Sequence, residues 1–175
     1  MADNTVQEAG ERFLKNQFFL ASWAAAVRHN KTWNQITEQE DRAEFKQNIQ
    51  AFLETMLASY KGGVSSEAHT QNIVQLQEKS AAAGERLNIG TCQKLLNLLC
   101  KYYWCAGWIA EPPHFPIDRR VLASLHINAN WTDIDDIPAY TKIIEQAAAQ
   151  TGEKSPAQWE LSVWNGESDT KEAAR

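Results

Sequence analysis

From Thr91 to about Trp108 the chain is apolar on nearly every side of a helical projection: Leu95, Leu96, Leu98, Leu99, Tyr102, Tyr103 and Trp104 leave no broad polar stripe. A helix of that composition is stable only when neighbours cover it all round. It therefore predicts a central helix, and the question becomes what the rest of the chain packs around it.

The remaining segments read as helix too. Leu14, Phe18, Ala21 and Ala25 recur at helical spacing between about Glu8 and Arg28. Between Glu38 and about Tyr60, Phe45, Ile49, Phe52, Leu53, Met56, Leu57 and Tyr60 form the most regular apolar stripe, which Gly62-Gly63 stops. A weaker helix from Ser66 to Ala82 turns Ile73, Val74 and Leu76 inward and closes at Gly84. The connector Glu111-Pro112-Pro113-His114-Phe115-Pro116 cannot be helical. Beyond it lie a short helix from Asp118 to about Leu125 and one capped by Asp136, with Pro138 in its first turn and Gly152 near its end. A last helix runs to Trp164, opened by a Ser155-to-Gln158 capping box. No segment alternates as a strand. The reading is an all-α single domain of six or seven helices over residues 9–165, with polar, disordered tails at 1–8 and 166–175.

At 175 residues the chain is long enough to bury a core without staples, and seven Trp residues suit that core. A net charge of −5 and a pI near 5.4 argue against a grip on nucleic acid by bulk electrostatics. The charge is segregated, however. Lys94, Lys101, Arg119 and Arg120 fall in one short region, whereas acidic residues gather at Glu38–Asp41 and Asp133–Asp136. DNA is thus a candidate partner through a local basic face. Cys92, Cys100 and Cys105 are odd in number and sit in one predicted helix, which suits reduced core thiols; their spacing matches no zinc or iron–sulfur pattern. No metal and no cofactor is expected. The N-terminus opens on Asp3 and Glu8 rather than a basic region, and the apolar run Phe18 to Val27 is too short to span a bilayer. The expectation is a cytoplasmic protein with no membrane partner.

Two motifs carry chemistry. Ile89-Gly90-Thr91-Cys92-Gln93-Lys94 places a glycine bend at a helix start with a lysine in the first turn. Pro116-Ile117-Asp118-Arg119-Arg120-Val121 delivers a carboxylate to the start of another helix. Helix N-termini carry unpaired N–H groups and a positive field, suited to an anion.

These segments, with Leu122 to Leu125 following, resemble the second half of the helix-hairpin-helix DNA glycosylase superfamily, nearest to its 8-oxoguanine glycosylase-like branch. The likeness spans about residues 86–165. It implies DNA binding and hydrolysis of a base–sugar N-glycosidic bond, an activity of DNA repair. Asp118 would match the carboxylate that stabilises the cationic sugar, and Lys94 is the candidate amine for a lyase step through a Schiff base. The resemblance puts a DNA phosphate on the backbone amides at Gly90 and Thr91, with Lys101, Arg119 and Arg120 beside it. Tyr102, Tyr103, Trp104 or Trp108 would stack on a flipped base. Two departures stand out. Asn88 replaces the first glycine of the family's turn, and Cys92 follows Thr91 where the family has its lysine. Lys94 is thereby rotated by about half a turn, which favours a monofunctional or inactive protein.

Simpler roles compete with each of these. Asp118 is equally well placed as a helix N-cap. Lys94 and Lys101, seven apart, share a face that solvent alone would explain; His114 reads as a loop residue with a local hydrogen bond. A non-catalytic helical interaction or adaptor protein, with a protein partner or a second copy of itself, is the alternative. A HEPN-type ribonuclease, from the spacing of Arg120 and His126, ranks below both.

Overall fold

The computed structural model describes residues 2–28, 33, 36 and 38–167. These are helical, with no strand among them. Seven α-helices follow in order: α1 (Ala2–Ala26), α2 (Gln39–Leu57), α3 (Ser66–Ala82), α4 (Ile89–Cys105), α5 (Arg119–Ser124), α6 (Ile137–Ala148) and α7 (Pro156–Asn165). Short 3-10 turns at Ala58–Gly62 and Trp131–Asp133 join them. The tail expected from 166 leaves only Gly166 and Glu167 within the described residues.

The apolar circumference of α4 dictates the arrangement. Twelve of its 17 residues are buried, because α1 and α3 cover it along its length and α6 and the 131–133 turn cover the rest. Helix α2 packs on α3 with Phe45, Ile49, Leu53 and Leu57 buried, as its stripe predicted. Side-chain caps set most starts. Ser65, Asn88, Asp118 and Asp136 each accept from the backbone N–H three residues on, and Ser155 with Gln158 forms the expected capping box. Two boundaries differ from expectation. Helix α1 begins at Ala2 rather than near Glu8, so the segment read as a tail continues the helix while its residues from Thr5 to Gly10 stay exposed. Helix α6 stops at Ala148, four residues short of Gly152.

A chain of buried polar side chains threads the core between α3, α4, α6 and the proline connector. The Tyr60 hydroxyl pairs with His69 Nδ1 at 2.8 Å, and His69 Nε2 with Asn97 Oδ1 at 2.7 Å. Asn97 Nδ2 donates to the Tyr140 hydroxyl at 3.2 Å, which pairs with His114 Nδ1 at 2.8 Å. His114 Nε2 reaches Ser66 Oγ at 2.6 Å. His114 is a loop residue, as expected, but its bonds are not local: it is buried and ties the connector to α3 and α6. Burial pushes His69 down to about 3, with the neighbouring His114 adding to it, and lowers His114 to about 4.

Both histidines are neutral in the fold, whereas an unfolded chain protonates them near 6.5. The native state thus binds fewer protons between those values. Stability should be at its full value above about pH 6.5 and fall steadily as the pH drops toward 4 and then 3. Urea midpoints measured from pH 8 to 4 test this, and replacing His69 with Gln should flatten the decline. A midpoint that holds steady down to pH 4 would contradict it.

Candidate active-site groove

The groove forms where α4, α5 and the segment after α5 meet. The segment 131–135 is anchored onto the start of α4 by three links. Gly90 N–H donates to Ile134 O at 2.7 Å, Asn88 Nδ2 to Thr132 O at 2.6 Å, and Arg86 pairs with Asp135 at 3.2 Å. Gly90 is required here because a Cβ at this position would lie 2.0 Å from Trp131 O. The chain passes so close that no side chain fits.

This anchoring corrects the phosphate cradle. The amide of Gly90 is spent on Ile134, and Thr91 N–H is spent on Asn88 Oδ1 at 2.9 Å. Both residues are buried. An anion cannot reach this helix end without displacing the 131–134 turn. Lys101 is likewise no part of a solvent-facing basic stripe. It is buried, and its Nζ donates to Glu160 Oε1 and Oε2 at 3.0 and 2.8 Å. Arg120 lies over the Trp164 ring at 4.8 Å and donates to Trp164 O at 2.6 Å. His126 sits beyond the end of α5 with a left-handed backbone, φ 55°.

Lys94 and Asp118 do come together. They line one open groove of about 650 Å³ with Arg119, Leu122, Trp131 and the polar edge Asn128, Asn130 and Thr132. Asp118 Oδ1 accepts from Val121 N–H at 3.0 Å, so the carboxylate caps α5, as the simpler reading held, and also borders the groove. Lys94 Nζ lies 4.0 Å above the centre of the Trp131 ring. Burial pushes its ammonium below the ordinary lysine range, and the Asp118 charge partly offsets that. A lysine with a weakened hold on its proton thus stands in the same groove as a carboxylate.

No protein-family model, curated protein or solved structure matches this chain.

The aromatic platform is not the one expected. Tyr102 stacks on Phe18 of α1 at 5.1 Å and 15°, Trp108 packs against Phe18 and Tyr103, and Trp104 is half-buried against the core. None of them lines the groove. Trp131 is the aromatic that lines it, and only an aromatic in an otherwise polar stretch could have singled it out. Cys92 and Cys100 are buried core thiols, whose burial raises them, whereas Cys105 is exposed. The described residues contain no cluster of three His, Cys, Asp or Glu side chains fit for a metal, and no helix long and apolar enough to cross a membrane.

Proposed function

We propose that this protein is a DNA glycosylase-like hydrolase that cleaves a base–sugar N-glycosidic bond in the α4–α5 groove. The observation that carries the reading is the meeting of Asp118, Lys94 and Trp131 around one open cavity. Departure of a base leaves positive charge on the sugar, and a fixed carboxylate stabilises that charge best where water is thinned out. Asp118 is fixed by the bond from Val121 N–H to Oδ1, which leaves Oδ2 for the sugar. Trp131 offers a ring beside the carboxylate for an extruded base. Lys94, loosened from its proton by burial, would either protonate the departing base or attack the sugar carbon. With the hairpin amides occupied, DNA contact would rest on Lys94, Arg119 and the Asn128–Thr132 edge. That is a small basic footprint, so binding should be weak and lose little with added salt.

A panel of duplex and single-stranded DNA carrying damaged or modified bases tests this. Wild type should release a base from at least one substrate, and Asp118→Asn should lower that rate at least about a hundredfold. Asn caps helices about as well as Asp, so the variant should keep its helix content and its fold. Borohydride trapping that disappears in Lys94→Ala would assign the lyase branch. Base release unchanged in Asp118→Asn, or none from any substrate, would overturn the proposal.

The alternative is a non-catalytic interaction protein, and one observation favours it. The start of α4, which the resemblance assigns to phosphate, is closed by the protein's own Ile134 carbonyl. In that case Asp118 serves only as the cap, and the DNA panel stays silent.

A further inference from the structure

The outward side of α1 is apolar and open. Of the five large apolar side chains exposed among the described residues, four lie on this helix: Val6, Phe13, Leu14 and Leu20, at 72%, 62%, 42% and 37%. Its inward side, with Phe19, Ser22, Trp23 and Ala26 buried, packs on the body of the protein. At 3.6 residues per turn, Val6, Gly10, Phe13, Gln17, Leu20 and Ala24 fall in one stripe, four and three residues apart by turns, and all six are exposed. Glu8, Glu11, Arg12 and Lys15, the charged residues between Thr5 and Ala26, fall on the other side.

We propose that this stripe pairs α1 with α1 of a second copy of the chain, the two helices antiparallel about a two-fold axis. The order of side-chain sizes selects both the partner and the direction. Reversed against itself so that Val6 meets Ala24, the stripe sets Gly10 against Leu20 and Phe13 against Gln17, and each pair recurs on the other side of the axis. Every bulky side chain then faces a smaller one, the alternation that lets two helices interlock. In a parallel pair Phe13 would meet Phe13 and Gly10 would meet Gly10, crowding one layer and emptying the next. Charge points the same way. Two copies with a net charge of −5 repel each other, and this stripe is a face on which they meet without bringing like charges together. With Leu14 at its edge the stripe offers roughly 500 Å² per copy, so a dimer buries about 1,000 Å², the lower bound for a specific interface. The association is therefore weak and reversible.

Sedimentation equilibrium of the full chain between about 1 and 300 µM should show a monomer–dimer equilibrium with a dissociation constant of about 10–100 µM. Added salt should tighten it, because salt screens the repulsion and leaves the apolar contact. Phe13→Glu buries a carboxylate from each copy at the centre of the pair and should weaken dimerisation at least about a hundredfold. Helix content should stay the same, because Phe13 is already open in the monomer. Direction is read by oxidising Val6→Cys and Ala24→Cys chains, each also carrying Cys105→Ser to remove the exposed native thiol. The mixture should cross-link and neither chain alone should, since equivalent positions stand roughly 27 Å apart in the antiparallel pair. A monomer throughout the range, a Phe13→Glu chain that dimerises like wild type, or equal cross-linking of each chain alone would overturn the proposal. So would capture of the monomer by phosphatidylcholine vesicles through Phe13, which would make the stripe a lipid-facing surface.

Discussion

Replacing Lys101 with Met should destabilise the protein by about 3–5 kcal/mol, a large share of the about 5–15 kcal/mol that holds a domain together. Lys101 and Glu160 bridge α4 and α7, with side chains only 10% and 3% exposed. Burial raises Glu160, and Lys101 opposes that rise without cancelling it. An ion pair held in the interior stabilises little, because lost hydration offsets its attraction. Removing one member leaves a carboxylate in the interior with no cation to meet it. The sign of the pH response follows. In the Met variant the folded state holds the Glu160 proton more tightly than the unfolded chain does, so stability should recover as the pH falls. That is opposite to the histidine effect. Replacing both residues, Lys101→Met with Glu160→Leu, should return stability to within about 1 kcal/mol of wild type, because packing then takes over from the ion pair. Urea unfolding of the three variants at pH 8 and pH 6 measures all of this. A single Met substitution that costs less than about 1 kcal/mol would mean that water reaches the pair.

Gly90→Ala should cost about 3 kcal/mol and also disturb the groove. The added methyl meets Trp131 O at 2.0 Å and further carbonyl atoms at 3.1 and 3.2 Å, all of them backbone that cannot rotate away. Relief requires moving the 131–134 turn, which breaks the Gly90 N–H to Ile134 O bond and carries Trp131 away from Lys94. The measurable pair of effects is a lower melting temperature and a changed Trp131 fluorescence. A variant as stable as wild type would show that the turn floats on α4 instead of being seated on it.

Much of this fold was legible because helical periodicity is a local property. The stripe from Phe45 to Tyr60, the all-round apolarity of α4 and the caps at Asp136 and Ser155 each lie within a few residues of one another, and each came out as read. Ends were less legible. Nothing polar or apolar in Ala2 to Gln7 decides whether the helix runs on into solvent. The groove divides along the same line. Lys94 and Asp118 were found because their motifs are short. Gly90, Lys101 and Trp131 were misjudged or missed because each owes its role to a partner far along the chain, 37 residues away at the nearest. Gly90 meets the 131–134 turn, Lys101 meets Glu160, and Trp131 meets Lys94 across the groove. Spacing along the chain carries no trace of such meetings.

The polar thread through the core has a consequence for how this sequence can drift. Tyr60, His69, Asn97, Tyr140 and His114 each satisfy two neighbours in the thread or at its edge, so exchanging one of them for an apolar residue strands the next in a place with no water. The five positions should therefore be inherited as a single unit. Descendants of a common ancestor should either keep the set or replace it wholesale, and intermediate combinations should be rare.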